Sequence, residues 1–136
     1  MTSIERAVER WRQQNIPLLP PSDPAAVEEA FARIGRPCSA DVVALYCTTG
    51  GMRDAMDSTG LSLWPLGRIL SARHRDAGDD VSFGDCLIEC FRFDFHFEDV
   101  NRSSVFGGYE RRKLADSVEE FFDTHFRDPA RLDLMT

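Results

Sequence analysis

Apolar residues recur with a helical period three times before residue 50 and once near the end, and with a period of two in between. In "SIERAVERWRQQ" (3–14), Ile4, Val8 and Trp11 fall on one face of a helix that Ser3 can cap. The prolines of "NIPLLPP" exclude its continuation. A second helix is announced by Asp23 as cap and Pro24 at the first helical position. Val27, Ala30, Phe31 and Ile34 form its apolar stripe, and Gly35 follows as a terminator. The third starts at Ser39, with Asp41 in the first turn where the helix dipole favours an anion; Val42, Leu45, Tyr46 and Thr49 share a face, with Val43 and Cys47 beside it. Gly50 and Gly51 come straight after it. Glycines that cradle a phosphate precede a helix, so this pair reads as punctuation, relieving a left-handed cap.

The period then changes. "LSLWPL" (61–66) alternates like a strand, with Pro65 marking an edge or the strand's end. "GRILSARHRDAGDD" (67–80) reads as a helical turn followed by an exposed acidic loop. The strongest strand signal is "DCLIECFRFDFHFED" (85–99), where Phe91, Phe93, Phe95 and Phe97 alternate with Arg92, Asp94, His96 and Glu98. Adjacent Leu87 and Ile88 break that phase and predict a bulge or bend near Glu89–Cys90. "SSVF" with Gly107–Gly108 adds a strand and turn. A last helix follows, capped by Asp116 or Ser117 with Glu119 or Glu120 completing a capping box, and striped by Val118, Phe121, Phe122, His125 and Phe126. Helices, then strands, then a helix predict one α+β domain over residues 1–136. Its central sheet is mostly antiparallel, packed by N-terminal helices and a C-terminal helix.

Composition adds a constraint on partners. A chain of 136 residues that is 43% hydrophobic and 29% charged can build its own core. The net charge of −7 disfavours nucleic acid and anionic membrane and favours a cationic protein partner. No run approaches 18 apolar residues, and charges interrupt the first thirty positions, so neither a membrane span nor a signal peptide is expected and the chain reads as cytoplasmic. Cys38, Cys47, Cys86 and Cys90 contain no CxxC pair and read as buried free thiols.

Candidate chemistry is sparse. Asp94, His96 and Glu98 share a strand face at i, i+2 and i+4, a donor set that suits a divalent transition metal, although such polar alternation is also what an uncovered sheet face requires. Cys86 or Cys90 with His74, His96 or His125 is the thiol-catalysis alternative, disfavoured because an apolar strand raises a thiol pKa. His125 reads instead as a hydrogen-bonded histidine of the core or its border. GxSxG, GxGxxG and a phosphate-loop lysine are all missing, and "ERRK" (110–113) reads as a solvated basic run. Asp54 and Asp57, with Asp76, Asp79 and Asp80, read as solvated loop carboxylates and are the named surface for a cationic partner. No catalytic, cofactor or metal residue is assigned.

The ordered set of features resembles the SUKH superfamily of cell-wall-regulator-like immunity domains. The resemblance runs from Trp11 and "IPLLPPSDPAAVEEAFARIG" through "SADVVALYCTTGGM" and "FGDCLIECFRFDF" to "KLADSVEEFFDTHF", about residues 8–132. Thr49 stands where the family commonly has asparagine, and Cys38 where leucine is frequent. The resemblance implies an α+β domain with no cofactor and no catalysis, which neutralises a cognate polymorphic toxin by binding it. The acidity suits a basic nuclease toxin. Eukaryotic relatives imply the alternative of a regulatory adaptor holding a cellular protein. Binding sites vary across the superfamily, so no contact residue carries over.

Overall fold

The computed structural model describes residues 1–74 and 78–132. Their elements are α1 (Ser3–Gln13), α2 (Pro24–Arg33), α3 (Ala40–Thr48), β1 (Leu61–Leu63), α4 (Leu66–Ser71), β2 (Val81–Cys86), β3 (Phe91–Phe97), β4 (Ser103–Gly107), β5 (Arg112–Ala115) and α5 (Val118–Arg127). A 3₁₀ turn (Pro129–Leu132) follows. The strands form one antiparallel meander in the order β1-β2-β3-β4-β5. This is the expected α+β domain, with helices packed on the sheet. No described helix is long and apolar enough to cross a membrane.

Residues opposite one another in an antiparallel pair share a face, so the register sorts the sheet. Leu63 opposes Gly84, Gly84 opposes Phe93, Val81 opposes Phe95, and Phe95 opposes Val105; these positions face the helices. A bulge between Ser82 and Gly84 inserts Phe83 into that core, where its ring stacks on Phe95 at 3.8 Å. Phe121 of α5 meets the rings of Phe93 at 5.1 Å and Phe83 at 6.1 Å, both edge to face. Of the alternating phenylalanines of β3, Phe93 and Phe95 are buried in this core and Phe91 and Phe97 are half-buried at the strand's ends; burying such rings supplies about 2–3 kcal/mol each.

Where expectation and structure part, local chemistry explains the difference. Helix α1 is capped by Thr2, not Ser3. The Thr2 hydroxyl accepts from the Glu5 amide and Glu5 accepts from the Thr2 amide, each at 3.0 Å, because a capping box needs its acid three residues on. Ser3 is instead buried against α5, its hydroxyl 3.4 Å from Asp123. The bend expected near Glu89–Cys90 is a hairpin turn joining β2 to β3. The "ERRK" run is solvated at Glu110 and Lys113 and half-buried at Arg111 and Arg112, and its last two residues open β5, a strand too short and polar to show periodicity. Only Cys86 of the four free cysteines is buried; Cys38 and Cys47 are half-buried and Cys90 is exposed on the hairpin turn.

The Gly50–Gly51 pair does follow α3, but not as a left-handed cap. Thr49 ends the helix in extended backbone, and of the two glycines only Gly51 has a positive φ, +100°. The chain here threads between two others. Leu19 N–H donates to the Gly51 carbonyl at 2.9 Å, Gly50 N–H to that of Leu19 at 3.0 Å, and Met52 N–H to that of Leu63 at 2.8 Å. A Cβ at Gly50 would overlap the Pro20 carbonyl oxygen, and one at Gly51 would lie 2.8 Å from the Pro65 nitrogen. Two extended segments thus cover the edge of β1, which protects a strand left bare by its length. Gly50→Ala is expected to cost about 3 kcal/mol in urea unfolding, as overpacking against backbone does. Gly35→Ala, at φ +67° with open space around it, should cost only about 1 kcal/mol.

Candidate protein-docking surface

The five aspartates named from sequence do not share a surface. Asp54 and Asp79 are exposed, and Asp76 lies outside the described residues. Asp57 and Asp80 are buried, which corrects their reading as solvated loop carboxylates. Asp80 accepts from His96 Nδ1 at 2.6 Å and pairs with Arg111. It therefore belongs to the sheet's uncovered face, where charge is neutralised internally.

Asp57 is more deeply committed. Its Oδ1 accepts from the Thr59 amide at 2.8 Å, the Thr59 hydroxyl at 2.6 Å and the Leu61 amide at 3.1 Å. Its Oδ2 accepts from Trp11 Nε1 of α1 at 2.8 Å and His125 Nε2 of α5 at 3.2 Å. Since the Thr59 hydroxyl points its hydrogen at Asp57, the His125 proton sits on Nε2 and is shared with Thr59 Oγ1 at 3.2 Å. Burial alone would raise the Asp57 carboxyl, but the hydrogen bonds from His125, Thr59 and Trp11 outweigh it and hold the group well below the usual carboxylate range. His125 is thus the hydrogen-bonded core histidine expected.

The metal candidates are each engaged by another side chain. Asp94 accepts from Ser82 Oγ at 2.7 Å and from Arg111 Nε at 3.1 Å, while His96 is held by Asp80. Glu98 accepts from Ser104 Oγ at 2.8 Å. Among the described residues no three His, Cys, Asp or Glu side chains are grouped to hold a metal. The Cys86 thiol is raised by burial and by nearby Asp57 and Asp85, the direction expected on an apolar strand. A depression of about 410 Å³ lies against the uncovered sheet face, but its Arg111 is bound by Asp94 and its Arg92 by Glu89 at 3.3 Å.

The unusual feature is the β2–β3 turn. Leu87, Ile88 and Glu89 have φ of +54°, +55° and +64°, three consecutive residues other than glycine in left-handed backbone. Such a conformation costs about 1–2 kcal/mol per residue, and for β-branched Ile88 it is exceptional. The turn is held at both ends: Leu87 N–H donates to the Gly60 carbonyl at 3.0 Å, and Glu89 N–H to Asp85 Oδ1 at 3.2 Å. What it presents is apolar, with Ile88 80% and Leu87 52% exposed.

Beside it, a groove of about 320 Å³ is walled by Ala55, Met56 and Ile88, with Asp54, Asp85 and Glu89 among its polar groups. Met56 adds a further exposed apolar side chain at 45%. Buried Asp85 orients the floor: it accepts from Trp64 Nε1 at 2.6 Å, and Arg68 stacks over that indole at 4.2 Å. An apolar, acid-rimmed patch on a rigid hairpin has the composition of a protein-docking surface. Of the sequence-named aspartates it contains Asp54 alone. Leu87 and Ile88 were visible in the sequence only as the break in the strand's alternation.

No family model matches this chain, and no curated protein and no solved structure matches it either.

Three measurements check the assignments. Asp57→Ala should lose about 3 kcal/mol, since it strands buried donors from α1 and α5. Because the folded-state pKa of Asp57 lies below its unfolded value of about 3.9, its contribution is complete above that value and lost as pH falls through it toward the folded pKa. Urea midpoints measured from pH 6 down to about pH 2.5 should therefore fall less steeply in Asp57→Asn than in the wild type. Separately, Ile88→Gly should raise stability by about 1 kcal/mol, because it relieves left-handed strain while giving up little buried surface.

Proposed function

We propose that this chain is a non-enzymatic protein-binding domain, a cytoplasmic immunity protein that neutralises a cognate toxin domain by direct occlusion. The observation that carries the binding reading is the strained β2–β3 turn, which gives up folding stability to hold Leu87 and Ile88 in water. Strain of that kind persists where function uses it. Large apolar side chains fixed on a rigid element make good interface anchors, because little side-chain freedom remains to be lost on binding.

The toxin as partner is supported by the SUKH resemblance of residues 8–132 and by the net charge of −7. An acidic inhibitor meets a basic nuclease faster through electrostatic steering and competes with its phosphate substrate. The electrostatic contribution is assigned to Asp54 and Asp79, both exposed, and no longer to Asp57 or Asp80.

Co-expression with the nearest toxin-domain gene upstream or downstream of this chain's own gene is the test. Restored growth and a 1:1 complex on co-purification are expected. Ile88→Asp, at an exposed position, should weaken that complex at least about tenfold while leaving thermal unfolding unchanged or improved. Continued killing with no complex would reject immunity to that neighbour and favour the adaptor reading.

A further inference from the structure

We infer that the groove beside the β2–β3 turn seats a lysine or arginine side chain of the protein partner, with an adjacent apolar side chain covering Ile88. This rests on the protein-binding reading and names the chemistry of the segment bound. The groove is apolar along its walls and anionic at its rim, which is the profile of a long cationic side chain, an alkyl stem ending in a charged head. Ala55, Met56 and Ile88 would receive the stem. Three carboxylates, Asp54, Asp85 and Glu89, line the groove with the guanidinium of Arg68, and Arg92 pairs with Glu89 from beside it.

Arg68 itself shows that a guanidinium fits this environment. It lies 3.3 Å from Glu89 and 3.6 Å from Asp85, and is stacked on Trp64. Glu89 is shared further with Arg92 at 3.3 Å, so its charge is largely spoken for. Asp54 is different: its exposed side chain makes no hydrogen bond or ion pair among the described residues, and its backbone holds a positive φ of +46°. It is the carboxylate with charge to offer an incoming cation. A second copy of this chain is a poor occupant, because each carries a net charge of −7 and the two repel.

The experiment is a titration of the full chain, labelled at methyl and indole groups, with acetyl-Arg-Leu-amide at low salt, followed by NMR. Its control is the same dipeptide with citrulline in place of arginine, which keeps the shape and removes the charge. Saturable shifts are expected at the Met56 and Ile88 methyl groups and at the Trp64 indole N–H, with the citrulline peptide binding about tenfold more weakly. Asp54→Asn should weaken the arginine peptide about threefold or more without altering the fold, since the Asp54 side chain supports no other group among the described residues. Equal binding of the two peptides would overturn the inference in favour of an apolar groove indifferent to charge. So would the lack of shifts at these groups up to about 10 mM peptide, or a concentration-dependent dimer that buries Ile88. Each leaves rescue by co-expression standing as a separate result, so immunity can survive the loss of this pocket.

Discussion

The Asp57 carboxylate is the junction on which the arrangement of this domain depends. One oxygen closes the turn that feeds β1, and the other takes the indole of α1 and the imidazole of α5. Elements separated by 46 and 68 positions in sequence are thereby brought to a single atom. A buried carboxylate with this many donors is stable only while every donor is in place, so the junction is cooperative: loosening α1 or α5 exposes the cost of the charge. Apolar packing alone would let α1 slide against α5, whereas the hydrogen bonds select one register.

The same device recurs. Asp41 in the first turn of α3 accepts from the Ser103 amide of β4 at 3.0 Å and from the Val118 amide of α5 at 3.1 Å. Asp85 takes the second tryptophan indole, and Asp80 and Asp94 share Arg111. Part of the acidity that reads as surface charge is therefore internal wiring. This matters for function, because a carboxylate occupied by buried donors cannot also steer a partner. The exposed carboxylates are spread over several elements, Glu28, Glu29, Asp99 and Glu120 among them, and of these Asp54 and Glu89 line the groove at the apolar turn.

That turn is where stability and recognition pull apart. Its ends are pinned by Gly60 and Asp85, and a substituent at Gly60 would lie 2.8 Å from the Leu87 side chain. These contacts hold the turn in its left-handed conformation, with Ile88 in water. A turn with glycine or asparagine would be more stable but would present no anchor. The proposed docking role gives the unfavourable backbone a reason, and the groove beside it gives that role a chemistry.

Much of the fold was legible in the chain. Helical stripes at Ile4–Trp11, Val27–Ile34 and Val118–Phe126, and the alternating phenylalanines of β3, report periodic burial, which is a local property of sequence. The helix starts after Asp23, Ser39 and Ser117 were equally readable, although only Ser117 caps through its side chain, accepting from the Glu120 amide, while Asp23 and Ser39 hold the cap position without a side-chain cap bond. β5 was not, since four residues with two cations carry no period. The candidate site was legible only through Asp54 and the broken phase at Leu87–Ile88. Which aspartates stay in water depends on what lies across from them: Asp57 is buried by a tryptophan and a histidine, Asp80 by an arginine 31 positions away. The sequence by itself determined the elements, because periodicity and capping act over a few residues. The tertiary structure alone decided which charges are exposed and which turn is strained, because both are set by partners brought together only when the sheet closes.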